Sequence, residues 1–190
     1  MELLESAELF AKRKHSRDLR SGETGADLRH LENVVNRLKS LGVIDKEILC
    51  TGWLYETMDK TNTSFDELLE KFGTRISVMV WSLSKDHKLA KKQREKQYIK
   101  QLRGASLDAK IIKICDISAN LTELKKQDVS KSKKIRNIKQ TRRYVAAIKK
   151  ELVEETDYPG TITLLESINQ AMNQLGQRSK LPTTSHKKQV

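Results

Sequence analysis

The chain has 190 residues, of which 33% are charged and 5% aromatic, and its formal net charge is +12. This length fits one domain with a hydrophobic core, and the positive charge favours anionic partners such as nucleic acid, nucleotides or an acidic surface. Cys50 and Cys115 have no CxxC spacing, which excludes a cysteine zinc site and a disulfide framework. Because neither a membrane span nor a secretory signal is evident, we expect a soluble, cytoplasmic protein with no membrane partner.

The first third of the chain is expected to be helical, since its apolar residues recur at helical spacing. Residues 3–11 mark a first amphipathic helix, and residues 28–41 mark a second. Gly42 is placed to end the second helix in a left-handed conformation. Asp45 can cap a third helix that holds "LCTGWLYETMDKT", residues 49–61.

The rest of the chain is also predicted to be helical. Ser64 and Glu67 match a capping box, so a helix begins there and ends near Gly73. "TRISVMVWSLS", residues 74–84, is interpreted as a buried helix, although a strand is the alternative. Four further helical segments complete the prediction: basic residues 88–104, a helix capped by Ser106 with Ile111, Ile114, Ile117, Leu121 and Leu124 on one face, basic residues 131–155, and residues 161–176.

Polar side chains interrupt the apolar faces of three of these helices. They are His30 on the second helix, Glu56 and Asp59 on the third, and Asp116 with Asn120 near residue 117. A buried carboxylate is costly unless a cation or hydrogen-bond donors satisfy it. One histidine and two or three carboxylates from different helices could converge on a divalent metal ion. The alternative is that they are ordinary solvated side chains.

The order and spacing of several blocks match one family. "RHLENVV" stands where the family has "NHPxxVA", and "LCTGWLYETMDKTNTSFDELLEKFG" resembles "AALLHDxVEDTxxTxxEIxxxFG". "AKIIKICDISANLTEL" resembles "AKLVKLADKLxNLxxL". The chain therefore resembles the HD-domain hydrolases of the RelA/SpoT type. It is most similar to the stand-alone small alarmone hydrolases, which remove the 3′-pyrophosphate of (p)ppGpp with manganese.

The resemblance implies an all-α HD-domain helical bundle of about nine helices over residues 1–176. Residues 177–190 are predicted to be a disordered basic tail. The resemblance also places His30 and Asp116 at metal-ligand positions, and Asn120 at a position that contacts the substrate. The segment "HSRDLRSGETGADLRHL" resembles the segment with which the family handles phosphate, and His15 and Arg20 match that segment.

The chain departs from the family at four neighbouring positions: Tyr55 replaces His, Glu56 replaces Asp, Asp59 replaces Glu and Lys60 replaces Asp. A phenol is neutral near pH 7 and is a poor ligand, so His30, Glu56 and Asp116 remain to hold manganese weakly or not at all. Glu56 and Asp59 keep the catalytic positions. Lys60 is expected to pair with Glu56 or Asp59 and to replace the charge of the metal.

The predicted ligand-binding set is His15, Arg20 and Asn120, which the resemblance implies, together with Lys60. We therefore predict a degenerate family member with little or no metal-dependent hydrolysis. Such a protein would bind a guanine nucleotide or another phosphorylated ligand, or act as a regulator. One alternative is an active guanosine polyphosphate pyrophosphohydrolase with a variant metal site of His30, Glu56 and Asp116.

Two basic clusters leave another alternative open. Lysines and arginines crowd residues 88–103 and 131–143, and Glu95 is the only acidic residue in the first range. Such runs are usually solvated helix surfaces. They could also line the nucleotide cleft or bind nucleic acid without sequence specificity, which would make the chain a nucleic-acid-binding module.

Overall fold

The computed structural model describes residues 2–17, 24–154 and 157–176, and these residues confirm the predicted all-α fold. Their nine helices are α1 (Leu3–Arg17), α2 (Thr24–Ser40), α3 (Lys46–Leu54), α4 (Thr57–Lys60), α5 (Phe65–Leu83), α6 (Lys91–Gly104), α7 (Leu107–Lys126), α8 (Lys131–Val153) and α9 (Gly160–Gly176). None of these described helices is long and apolar enough to cross a membrane. The tail predicted over 177–190 lies outside the described residues, so the domain boundary at 176 stays a prediction.

Most predicted helix ends are confirmed. Gly42 follows α2 with φ of +88°, a conformation that glycine adopts without strain. Asp45 caps α3, since its carboxylate accepts hydrogen bonds from the backbone N–H groups of Glu47 and Ile48 at 2.8 and 3.3 Å. Ser64 and Ser106 cap α5 and α7 in the same way through their hydroxyls.

The prediction of one continuous helix through residues 49–61 is wrong. Helix α3 ends at Leu54, the chain turns at Tyr55 and Glu56, and α4 is a separate single turn. The hydroxyl of Thr57 donates to the carbonyl oxygen of Leu54 at 2.7 Å, and thus competes with the backbone hydrogen bonds of a continuing helix. The break turns Tyr55 and Glu56 towards the carboxylates and cations described below.

Helix α5 joins two segments that the sequence separates. Gly73 has φ of +79° and ψ of 176°, so the helix that begins after Ser64 is kinked there. The following segment is helical, which confirms the interpretation of residues 74–84 over a strand. Phe72, Ile76 and Val80 are buried, as a helix entering the core requires.

Helix α7 lies at the centre of the fold and packs against α2, α3, α5, α8 and α9. The predicted apolar face is buried, and so are the neighbours Ile112 and Cys115, because helices cover α7 on several sides. Helices α2 and α3 approach closely at Gly52, where a Cβ atom would lie 2.9 Å from Cδ1 of Leu38. This packing brings the residues of α2, the end of α3 and α7 together.

Candidate active site

Three buried side chains meet where α2, the end of α3 and α7 converge. Nε2 of His30 lies 2.6 Å from the hydroxyl oxygen of Tyr55 and 3.1 Å from Oδ1 of Asp116. The hydroxyl of Tyr55 donates to the same Oδ1 at 3.1 Å. At most 5% of each residue is exposed, so the three form a buried triangle of hydrogen bonds. The structure thus brings together three of the four residues that the resemblance aligns with metal-ligand positions, and the fourth, Glu56, lies against Lys60 instead.

Asp116 accepts hydrogen bonds from four side chains. Besides His30 and Tyr55, the amide of Asn120 donates to Oδ1 at 2.6 Å and the ammonium of Lys113 donates to Oδ2 at 2.7 Å. Burial by itself would raise the pKa of Asp116, but the charge of Lys113 and the donors around it hold that pKa well below its ordinary value. Asp116 is therefore an ionised carboxylate with both oxygens engaged.

His30 is held on both sides by acidic groups. Its Nδ1 lies 2.9 Å from Oε1 of Glu123, opposite its contact with Asp116. Burial lowers the pKa of His30, but the hydrogen bonds to Asp116 and Glu123 outweigh it and raise the pKa to about 10. The ring is then an imidazolium that donates to both carboxylates, whereas a metal ligand needs the neutral form.

Glu123 and Lys113 were not identified from the sequence. On α7, Lys113 lies three residues before Asp116 and Glu123 lies seven residues after it, which places both near the face of the helix that carries Asp116. That spacing was the available signal. Lys113 is almost fully buried, and although burial would lower the pKa of an ammonium, Asp116 holds the pKa of Lys113 well above its ordinary value.

A second ion cluster is centred on Lys60. Its ammonium lies 2.9 Å from Oε2 of Glu56 and 2.8 Å from Oδ1 of Asp27. The predicted pair of Glu56 and Lys60 is therefore confirmed. Burial raises the pKa of Glu56, and the charge of Lys60 opposes that shift. The carboxylate of Asp27 also lies 3.8 Å from Nδ1 of the buried His15.

Asp59 has partners other than Lys60. Its Oδ1 accepts a hydrogen bond from the backbone N–H of Lys85 at 2.9 Å and lies 3.7 Å from Nε2 of His87. Burial raises the pKa of Asp59, and the backbone hydrogen bond from Lys85 opposes the shift. Asp59 thus ties α4 to the loop that follows α5, and its pairing with Lys60, which was one of two expectations, is not observed.

A cavity of about 430 Å³ opens beside these groups. Its lining includes Asp116, Glu56, Asp59, Lys60 and Asn120. Two lysines and two tyrosines, which we call the wall, also line it: Lys85, Tyr98, Lys113 and Tyr144.

The wall was not predicted, because its members come from three helices and a loop that are distant in sequence. Tyr98 and Tyr144 meet edge to face with ring centroids 5.3 Å apart. The ammonium groups of Lys85 and Lys113 both lie within 5.3 Å of the two ring centroids, in the range of cation–π attraction. Lys85 also donates to the hydroxyl of Tyr144 at 2.9 Å. Burial and then the charge of Lys113 lower the pKa of Lys85.

The side chains described here fit a divalent metal ion poorly. Within the described ranges, no group of three or more His, Cys, Asp or Glu side chains is arranged to hold one. Of the predicted trio, His30 and Asp116 bind each other, and Glu56 lies against Lys60. Burial raises the pKa of Tyr55 well above its ordinary value, so its phenol stays neutral and is not a ligand.

The predicted ligand-binding residues are distributed over different places. Lys60 and Asn120 line the cavity. His15 is buried beside Asp27, which also contacts Lys60. Arg20 lies outside the described residues. The roles assigned to these four residues, and the catalytic roles assigned to Glu56 and Asp59, stay predictions.

Comparison with known proteins agrees with this architecture. The HD domain family matches residues 7–158. The guanosine-3′,5′-bis(diphosphate) 3′-pyrophosphohydrolase MESH1 of Mus musculus is 31% identical over 125 residues, which is 65% of this chain and 69% of that protein. The human (Homo sapiens) protein of the same name has the same identity and coverage. An Aquifex aeolicus guanosine-3′,5′-bis(diphosphate) 3′-pyrophosphohydrolase is 30% identical over 139 residues, 72% of this chain but 19% of that longer protein.

Solved structures show the same fold. A metazoan ortholog of SpoT, described as hydrolysing ppGpp, superposes with a TM-score of 0.76 at 21% identity, covering 90% of this chain and 95% of that one. The lmo0812 protein of Listeria monocytogenes superposes with a TM-score of 0.61 at 18% identity, covering 78% of this chain and 96% of that one. The HD-domain model matches most of the chain, and the mouse and human relatives are matched over more than two thirds of their length, so this chain belongs to the HD-domain family and is similar to the stand-alone small alarmone hydrolases of the RelA/SpoT type.

Proposed function

We propose that this chain binds a guanine nucleotide, or a related phosphorylated ligand, in the cavity beside Asp116 without normal metal-dependent hydrolysis. It would then act as a nucleotide-binding or regulatory protein. The names of the mouse and human relatives, which are hydrolases of guanosine-3′,5′-bis(diphosphate), support the nucleotide as the class of ligand. The single observation that carries the loss of hydrolysis is that Lys60, which stands where the family has Asp, lies 2.9 Å from Oε2 of Glu56.

The charge of Lys60 supports the loss of the metal. The resemblance implies a metal ion that activates water for attack on a phosphate. In the family this ion is manganese. His30 and Lys113 lie against Asp116, but the family motifs contain these two residues as well. Lys60 replaces an Asp of the family, and its ammonium lies against Glu56, a carboxylate that would face the ion. A divalent ion would be repelled by this added cation and would have to displace it from its partners. We infer that Lys60 stands in for the metal charge.

The same cations suit the cavity to a phosphorylated ligand. Lys60 and Lys85 line the cavity with 39% and 25% of their side chains exposed. Their ammonium groups can therefore contact a phosphate in the cavity without a rearrangement of the helices. Asn120 lines the cavity next to Asp116 and can offer amide contacts to a sugar or base. In this proposal Glu56 and Asp59 position Lys60 and the Lys85 loop, and transfer no proton.

The alternative is an active pyrophosphohydrolase whose variant site uses His30, Glu56 and Asp116. The names of the relatives favour it. It requires that substrate or metal open the contacts of Asp116 and that His30 lose its second proton. It also requires that Lys60 move away from Glu56, because the ammonium would oppose a metal bound there.

The test is a titration calorimetry experiment on the full chain with guanosine-3′,5′-bis(diphosphate), together with a pyrophosphate-release assay in manganese. We expect binding without release. Lys85→Met should weaken binding by about tenfold or more, because a charge-assisted hydrogen bond to a ligand contributes about 1.5–3 kcal/mol. Lys88→Met is the matched control, since Lys88 is exposed and does not line the cavity.

Three results would overturn the proposal. Pyrophosphate release by the wild-type chain in manganese that a chelator abolishes would establish the active alternative. Failure of the folded wild-type chain to bind the nucleotide, or equal binding by the Lys85 and Lys88 variants, would remove the cavity as the binding site.

A further inference from the structure

A second concave surface lies between α6 and α8. It has a volume of about 490 Å³, and its charged lining consists of Lys91 and Glu95 from α6 and Arg136, Lys139 and Arg143 from α8. We call it the α6–α8 groove. The four basic residues are exposed, and within the part of the chain that the structure describes none of them forms an ion pair. The groove is therefore a concentration of positive charge without a partner.

The one acidic residue of the groove does not neutralise these cations. Oε1 of Glu95 lies 3.3 Å from the ammonium of Lys85, and Oε2 accepts a hydrogen bond from the hydroxyl of Tyr144 at 2.8 Å. The pKa of Glu95 is lowered: burial would raise it, and its hydrogen bonds with Gln140 and Tyr144 outweigh that shift. Glu95 is thus an ionised group whose partners, Lys85 and Tyr144, belong to the wall of the neighbouring cavity.

The spacing of the cations indicates a polymer as the ligand. Arg136, Lys139 and Arg143 recur at three and four residues, so they share one face of α8 over two turns, or about 10 Å. One phosphate group cannot reach all of them together with Lys91 across the groove. A chain that repeats its negative charge every few ångströms can.

The chemistry of the lining separates nucleic acid from an acidic peptide. The groove has one large apolar side chain, Ile135, so a peptide would gain few apolar contacts there. Among the residues that the structure describes, no aromatic side chain lines the groove, so these residues would not stack on the bases or read them. The cations line a concave surface, which a flexible single strand can follow more closely than a stiff duplex. The features that remain, cations along a groove, are those that follow a phosphodiester backbone.

We propose that the α6–α8 groove binds single-stranded nucleic acid through its phosphate backbone, with strong salt dependence and little sequence preference. The groove adjoins the nucleotide cavity, since Gln140 lines both. Binding in the groove nevertheless depends on different side chains, and it does not require that the cavity bind a nucleotide.

The test is fluorescence anisotropy of a labelled single-stranded RNA of about 16 nucleotides, the upper range of sites on comparable grooves. With the four groove cations contacting phosphates, the logarithm of the binding constant should fall against the logarithm of salt with a slope of about −3. Arg136→Gln with Arg143→Gln should weaken binding and make the slope shallower by about 1.4, since two phosphate contacts are lost.

The matched control is Lys96→Gln with Lys100→Gln, which removes the same charge from exposed positions of α6 outside the groove. The control should keep the wild-type slope. Equal weakening in both double variants, with unchanged thermal unfolding, would assign binding to overall charge and overturn the proposal. So would a duplex of equal charge that binds as tightly, or a polyglutamate that displaces the RNA at equal charge concentration.

Discussion

Tyr55 donates a hydrogen bond to Oδ1 of Asp116 at 3.1 Å while its own oxygen lies 2.6 Å from Nε2 of His30. The phenol therefore joins the histidine and the carboxylate that the family comparison aligns with metal ligands. Because His30 is an imidazolium, its single Nε2–H is shared between the Tyr55 oxygen and Oδ1 of Asp116, at 2.6 and 3.1 Å. The Tyr55 hydroxyl in turn donates its own proton to Oδ1 of Asp116. His30, Tyr55 and Asp116 are therefore joined to one another by hydrogen bonds. The stability of the folded protein should then respond to mutation of this triangle and to pH as it does for a buried ion pair.

Replacing Asp116 by Asn should destabilise the fold strongly. The change leaves the buried Lys113 ammonium and the His30 imidazolium without their shared anion, and breaking a buried ion pair from one side costs about 3–5 kcal/mol. The free energy of unfolding, measured with urea at neutral pH, should fall by that amount. Asp128→Asn is the control, because Asp128 is exposed and should change stability by less than about 0.5 kcal/mol. A stabilised Asp116→Asn variant would indicate mutually repelling carboxylates, as in an empty metal site.

The protonation of His30 should appear as a pH dependence of stability. Its pKa rises from 6.5 to about 10 on folding. A raised pKa means that the stabilisation is fully present below about pH 6.5 and is lost as pH rises towards 10. The difference in unfolding free energy between the wild type and His30→Gln should therefore shrink across that window. Nitrogen NMR of the ring should show two protons at about pH 8, and a neutral ring there would refute the assignment.

Lys60 should be needed for its charge. Lys60→Gln leaves Glu56 and Asp27 without their shared cation and should cost about 1–2 kcal/mol, a value discounted because 39% of the Lys60 side chain is exposed. The pKa of Glu56 would rise further, and a carboxyl with a raised pKa regains stability as pH falls. The deficit of Lys60→Gln should thus shrink on acidification in urea titrations. Lys60→Arg keeps the charge and should stay near the wild type; equal losses in both variants would contradict an electrostatic role.

Restoring the family residues at positions 55–60 should create a metal site. The variant combines Tyr55→His, Glu56→Asp, Asp59→Glu and Lys60→Asp, which supplies an imidazole and removes the ammonium. Manganese should then raise its unfolding temperature, because a ligand that binds only the folded state stabilises it. The effect should vanish when Asp116→Ala is added. If the folded variant ignores manganese, the four departures are not what excludes the ion.

The sequence predicted those parts of the fold whose causes are local. The caps at Asp45, Ser64 and Ser106 and the turn at Gly42 depend on side chains within three residues of the helix end. The break after Leu54 was missed because a hydroxyl competed with the helix backbone, which periodicity does not reveal.

For the site, the resemblance brought His30, Tyr55, Glu56 and Asp116 together, and spacing predicted the pair of Glu56 and Lys60. Neither the resemblance nor the spacing revealed that Lys60 also pairs with Asp27, since the two residues are 33 positions apart and lie on different helices. The wall of Tyr98 and Tyr144 likewise depends on the packing of α6 against α8, which no local pattern encodes.

The most direct test of the central claim is a calorimetric titration of the metal-free wild-type chain with manganese, followed by the pyrophosphate-release assay on guanosine-3′,5′-bis(diphosphate). If Tyr55 and Lys60 exclude the ion, the titration should show no stoichiometric binding, and release should not differ between manganese and chelator. One manganese bound per chain, with release that the chelator abolishes, would contradict the account.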